Sequence, residues 1–305
     1  MITFGCSVKG TAHIRADMPC QDSHIIQQHS DYTILAVADG HGSLSCPFSQ
    51  DGSKIAVQTF CDLMTSYYEK NSTEDLMNFL NHEGKIVIPK EIENFWKENV
   101  LQFHKKNLRE NILEEEIYKQ YGSTLLGLLI TKNFIYAFQL GDGDIICVNQ
   151  NESSAVVDSE HLLGVETFSL SNKNAWTYAN NAIISRTKNN FPNLYILSTD
   201  GFSNSHASQE DFYKTCRDYY ELFTDQQQDY VKENPSVLKM LRELEMDIQK
   251  NFYTVVVLGE FKRGKSTFVN ALLGTPLLPT DILPENTYNI SYVSILCVSH
   301  CGVSF

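Results

Sequence analysis

The sequence predicts an α+β fold, and three observations carry that prediction. Short apolar runs with the length and composition of strands recur between Tyr32 and Asp200. Longer stretches with apolar residues at helical spacing stand between and after them. Three of the strand-like runs stop at the same dipeptide, at Asp39-Gly40, Asp142-Gly143 and Asp200-Gly201.

In chain order, "YTILAVAD" (Tyr32 to Asp39) reads as a short buried strand. Gly52 to Lys70 reads as a helix, with Ile55, Val57, Phe60, Leu63, Met64 and Tyr67 at helical spacing. A second helix is expected from Ile92 to Leu113. Four short strands follow, "STLLGLLIT", "FIYAFQLGD", "DIICVNQ" and "NLYILSTD", with turns between them. Helical patches are expected near Gln209 to Tyr220 and Pro235 to Lys250. The polar stretch from Phe223 to Ser236 is the best linker, with helix as the alternative. After it, "YTVVVLGEFKRGKSTFVNALLG" reads as a strand, a loop and the start of a helix. A chain of 305 residues has room for one large domain or two smaller ones.

A formal net charge of −13 argues against non-specific nucleic-acid binding. A chain this acidic holds a phosphate only through metal ions, a local arginine or backbone amides. The N-terminus "MITFGCSVKG" lacks a charged leader followed by an apolar core, so no signal peptide is expected. No apolar run reaches the roughly 18 residues of a membrane span. Eight scattered cysteines form no compact disulfide framework, which points to reduced thiols and a cytoplasmic protein. "CVSHC" (Cys297 to Cys301) lacks a second pair of ligands and is not read as a zinc site.

Each Asp-Gly pair alone reads as a hairpin turn. Three of them, with Asp22 in "QDSH" and no adjoining Lys or Arg, read differently. Carboxylates converging from strand ends repel one another unless a cation neutralises them. The donors are hard oxygens, which favours Mg²⁺ or Mn²⁺ over zinc. Glycine after the acid lets a carbonyl or a water approach the ion.

The ordered strings "QD", "VADGHGS", "YGSTLLG", "LGDGD" and "LSTDGFSNS" resemble the metal-dependent type 2C protein serine/threonine phosphatases, over roughly residues 1 to 235. "KGTAHIRADMPCQDSH" and "GSLSCPFSQDGSKIAV" look like a bacterial-type subgroup. The resemblance implies a four-layer α-β-β-α sandwich of two antiparallel sheets with a two-metal site at one end. It implies that Asp39 bridges both ions, that the Gly40 carbonyl binds the second and that Asp200 binds the first. Asp22 would support the coordinated waters, and Asp142 would match the acid linked to a third, weaker ion. His41 would protonate the leaving serine or threonine oxygen, and Arg15 would hold the substrate phosphate. Gly122 and Ser123 read as structural. Two positions depart from the family pattern. Gln21 stands where many members have Glu, and Asn251 falls where a final metal-binding acid is expected. An amide binds a hard cation less tightly than a carboxylate does.

Gly259-x-x-x-x-Gly264-Lys265-Ser266, followed by Thr267, is a phosphate-binding loop. Its backbone amides cradle phosphates, Lys265 reaches the terminal ones and Ser266 binds Mg²⁺. The string "GEFKRGKSTFVNALLGTPLLPTDILP" resembles the start of a bacterial dynamin-type GTPase domain. "LPENTYNI" breaks that family's switch pattern, with Thr287 as a weak substitute, and no Asp-x-x-Gly or guanine-reading motif follows. GTP is therefore a poor match. About 65 residues fall short of a complete nucleotide-binding domain. The alternatives are that the fragment packs on the phosphatase-like domain, needs a covering partner, or ends a truncated or frame-shifted product.

The expected organisation is a phosphatase-like domain over 1–235 and an incomplete P-loop α/β fragment over 236–305. The expected reaction is metal-dependent hydrolysis of phosphoserine or phosphothreonine in a phosphoprotein substrate. The rival is a catalytically weak binding or regulatory module with a vestigial GTP-binding segment.

Overall fold

Strands buried on both faces explain why the apolar runs of this chain show so little alternation. The computed structural model describes residues 2–8, 20–43, 45–107, 112–157, 168–186, 193–233, 253–254 and 292–299. In chain order they form β1 (Ile2–Val8), β2 (Ser23–Gln28), β3 (Tyr32–Ala38), α1 (Ser49–Lys70), α2 (Thr73–Asn81), α3 (Gly84–Asn107), α4 (Glu114–Gln120), β4 (Leu125–Thr131), β5 (Phe134–Leu140), β6 (Asp144–Val148) and β7 (Ser153–Ala155). A 3₁₀ turn (Ala175–Tyr178), β8 (Asn180–Ser185), β9 (Asn193–Ser198), α5 (Asp200–Ser203), α6 (Gln209–Glu233), β10 (Tyr253–Thr254) and β11 (Tyr292–Ser299) complete it.

Two antiparallel sheets result. The first has the order β1-β11-β9-β6-β7, with β10 added to β11, and the second has the order β2-β3-β4-β5-β8. Alternate residues of the second sheet serve two cores. Ile34, Ala36, Leu129 and Tyr136 pack with Phe60 and Met64 of α1 and Trp96 of α3. Leu35, Val37, Leu126 and Leu128 pack with Ile145, Tyr195 and Leu197 of the first sheet. Because both faces are covered, β3, β4 and β5 are buried along their whole length. The α+β sandwich expected from sequence is the fold found.

Several elements differ from expectation. Helix α1 begins at Ser49, ahead of the expected Gly52. Helix α3 begins at Gly84 rather than Ile92 and ends at Asn107 rather than Leu113. Pro89 lies inside α3 and gives no amide to the Lys85 carbonyl four residues back. The Asn181 side-chain amide takes that carbonyl instead, at 3.1 Å. Phe223–Glu233 continues α6, so the helical alternative holds there rather than the linker. Asp22 stands just before a strand, as expected, whereas strands β1, β7, β8 and β11 and helices α2 and α4 were not expected. The signal for α2 was present in the sequence: Ser72 is its N-cap, with Oγ accepting from the Asp75 amide at 3.1 Å. The expected helix at Pro235 to Lys250 lies outside the described residues, as do Asn251 and the loop residues Gly259, Gly264, Lys265, Ser266 and Thr267. Among the described residues no helix is long and apolar enough to cross a membrane.

Candidate active site

None of the three Asp-Gly pairs closes a hairpin. Asp39-Gly40 follows β3 and leads toward α1, and Asp200-Gly201 opens α5 after β9. Asp142-Gly143 joins β5 of the second sheet to β6 of the first. A turn residue between paired strands points into solvent. A residue where a strand leaves its sheet sits at the end of the sandwich, and these three exits, one of them a crossing between the sheets, bring their acids together.

Asp39 is fixed through its backbone. Its amide donates to Thr124 Oγ1 at 2.9 Å, and its carbonyl accepts from the Thr124 amide at 2.9 Å. Gly40 bridges to Ser123, and the His41 amide donates to the Gly122 carbonyl at 3.0 Å. The loop therefore extends β3 alongside the residues leading into β4. Two glycines are required by close approach. A Cβ on Gly40 would lie 2.6 Å from the Ser49 carbonyl oxygen and 2.8 Å from that of Gln21. A Cβ on Gly122 would lie 2.6 Å from Cδ2 of the His41 ring. Asp22 is anchored from α1: Ser53 Oγ donates to the Gln21 carbonyl and lies 2.8 Å from Ser23 Oγ.

The electrostatics show which acids meet. Burial pushes the Asp22 carboxyl up to about 6, partly offset by a hydrogen bond with Asp39. Asp39 rises well above the usual carboxylate range, first through burial and then through the charges of Asp22, Asp200 and Asp142. Asp200 rises to about 7, through burial and then the charges of Asp142, Asp22 and Asp144, against the Gly201 amide, which lowers it. Its Oδ2 accepts from the Asn204 side chain at 3.0 Å. His41 is lowered by burial, and the nearby Asp142 charge opposes that shift.

These residues fit a hard divalent ion. One oxygen of Asp22, Oδ2, is buried with no hydrogen-bond partner, and so is Oε1 of Gln21. Ionised carboxylates this close repel one another, and a bound cation would offset that repulsion. Among the described residues no three His, Cys, Asp or Glu side chains stand close enough to cage an ion by themselves. Mg²⁺ does not need such a cage, because it keeps several waters and takes one or two carboxylates directly.

The family model described as Protein phosphatase 2C matches residues 9–242. The chain belongs to the protein phosphatase 2C family. Within the matched range Asp39 feels the charges of Asp22, Asp200 and Asp142, and the Asp142 charge also reaches His41. Arg15 lies within the matched range but outside the described residues. A second model, described as Dynamin family, matches residues 255–292. A bacterial dynamin-like protein from Nostoc punctiforme is 53% identical over 38 residues, 12% of this chain and 6% of that protein. An uncharacterized protein in the xynA 3' region of a Caldicellulosiruptor species is 43% identical over 74 residues, 24% of this chain and 18% of that protein. The chain thus spans less than a fifth of either curated relative. A serine/threonine phosphatase structure from S. agalactiae is 10% identical, with 98% of each chain covered and a TM-score of 0.49.

Sequence reasoning missed the supports of this acidic cluster. Thr124 holds Asp39 from both sides of its backbone, and Ser53 holds the Asp22 strand end. Nothing local marks either one, because each acts on a residue distant in the chain. Asp144 was visible in "LGDGD" and was read only as the start of a strand, yet its charge reaches Asp200.

Proposed function

We propose that this chain hydrolyses phosphoserine and phosphothreonine in proteins with two divalent ions, Mg²⁺ or Mn²⁺. Asp39, Asp200 and the Gly40 carbonyl would hold the ions, Asp22 would order their waters, and Asp142 would serve a third, weaker position. When bound, the ions supply Lewis-acid activation of water and cancel phosphate charge. The carrying observation is the group of buried acids at the ends of β3, β5 and β9 and the start of β2, close enough for Asp39 to feel the charges of Asp22, Asp200 and Asp142, with one Asp22 oxygen buried without a hydrogen-bond partner.

The chain's own residues then divide the work. Asp39 would hold an ion as its carboxylate, so ion binding there would favour the ionised form. Burial makes the His41 imidazolium a stronger acid, and the nearby Asp142 charge opposes that shift. From that position the imidazole ring donates to the departing alkoxide. Gly122 leaves the His41 ring its space. Arg15 is assigned to the substrate phosphate, the one cationic side chain proposed in an otherwise acidic site. The loop from Gly259 to Ser266 is assigned a phosphate-binding role with little preference between GTP and ATP, since no guanine-reading motif accompanies it.

The test is hydrolysis of p-nitrophenyl phosphate and a phosphoserine peptide, with Mn²⁺ titrated from micromolar to millimolar. Activity that appears with Mn²⁺ and disappears in EDTA supports the reading. Activity persisting in excess EDTA overturns the metal mechanism. Metal binding without turnover at any concentration favours the binding module.

A further inference from the structure

We infer that Tyr292–Ser299, beyond the stretch matched to the phosphatase family, is a working strand of the phosphatase domain and holds the Asp200 end of β9 in place. The first sheet has β11 between β1 and β9. All seven residues of β1 pair with it, from Ile2↔Val298 to Val8↔Tyr292. On its other side Ser294, Ile295 and Leu296 pair with Ser198, Leu197 and Ile196 of β9. Ser198 stands two residues before Asp200, and α5, which begins at Asp200, packs against β11. Without β11 the sheet divides: β1 loses its ladder, and the edge of β9 nearest the acids exposes a row of unpaired amides and carbonyls. Unpaired backbone groups in the middle of a sheet are costly, so such a gap does not stay open without loss of order around it.

The ends of the dynamin-matched segment point the same way. Tyr253 and Thr254, just before it, pair with Val298 and Cys297, just after it. Strands β10 and β11, which flank that segment in sequence, therefore belong to one sheet. The division at residue 235 then follows sequence resemblance, whereas the sheet runs past it. The inference does not depend on what the acids at the end of β9 catalyse.

Two experiments on the full chain test it. Thr3 is the register partner of native Cys297, and directly opposed strand residues lie within disulfide reach. Mild oxidation of Thr3→Cys is expected to give a link between positions 3 and 297, identified by peptide mapping. Failure to link there overturns the placement of the strand. Ile295→Pro removes a backbone donor from the middle of β11. Hydrogen exchange at Ile196 to Ser198 is expected to quicken at least tenfold, and Mn²⁺ to bind more weakly. Unchanged exchange at those amides overturns the positioning role. Should Ile295→Pro fail to fold, exchange at the same amides in the Thr3→Cys chain, linked against reduced, decides it: slower exchange when linked supports the role, and equal exchange overturns it. Neither readout uses phosphate hydrolysis, so loss of the phosphatase reading would leave both intact.

Discussion

At the scale of single residues, the site depends on which groups hold protons. Asp39→Asn keeps the shape and removes the charge that an ion needs, so activity with saturating Mn²⁺ is expected to fall at least about a hundredfold, with weaker Mn²⁺ binding by calorimetry. His41→Ala separates substrates. A phosphoserine peptide, whose alkoxide needs a proton to leave, should slow by about 10² or more, while p-nitrophenyl phosphate changes far less. Equal losses on both would remove His41 from the general-acid role. Gly122→Ala should reproduce part of that selective loss, because its methyl would lie 2.6 Å from His41 Cδ2 and the ring must move. The added methyl group should also cost about 1–3 kcal/mol in denaturant unfolding if the loop resists the shift.

At the scale of elements, long-range packing decided where helices start and stop. Helix α3 accommodates Pro89 because Asn181, at the start of β8, satisfies the carbonyl that the proline leaves open. Helix α2 is set by its own cap, far from the acids in sequence. Ser72→Ala should therefore cost about 1 kcal/mol in denaturant unfolding and leave kcat and KM unchanged. A change in activity would mean that α2 also supports the site. The indole N–H of Trp96 in α3 donates to the Gly52 carbonyl at 3.0 Å, which ties α3 to the first turn of α1 behind Gly40. Through that contact the helical layer bears on the Asp39-Gly40 loop.

At the scale of the whole molecule, protonation of the acids links stability to pH and to metal. The carboxyls of Asp22 and Asp200 are raised in the folded chain to about 6 and about 7 from 3.8. The native state therefore keeps protons that the unfolded state has released. Their favourable contribution is fully present below 3.8 and is lost as pH rises through about 6 and about 7. In EDTA, the melting temperature should thus fall over this range as far as these groups govern it. With Mn²⁺ present the opposite trend is expected, because deprotonated acids bind the ion and bound ion stabilises the native state by mass action. Thermal melts from about pH 5 to pH 8, with and without Mn²⁺, check both signs. Melts insensitive to Mn²⁺ at every pH would remove the ion from this site.

The sequence by itself determined the acids and the elements that carry them. "VADGHG", "LGDGD" and "LSTDG" named Asp39, Asp142 and Asp200, and the apolar runs before them became β3, β5 and β9, because buried strands need such composition wherever they pair. Tertiary structure decided the rest. The same Asp-Gly dipeptide serves a hairpin or a crossing between sheets, and only the pairing of β5 with β8 and of β6 with β9 makes Asp142 a crossing residue. Thr124 and Ser53 became supports only when β4 and α1 came beside Asp39 and Asp22. Nothing local assigned Tyr292–Ser299 to the first sheet, yet it stands between the first strand and β9. Local composition fixes whether a segment can be a strand. Its neighbours are chosen by backbone groups that must find partners across the whole chain, and no local pattern records that choice.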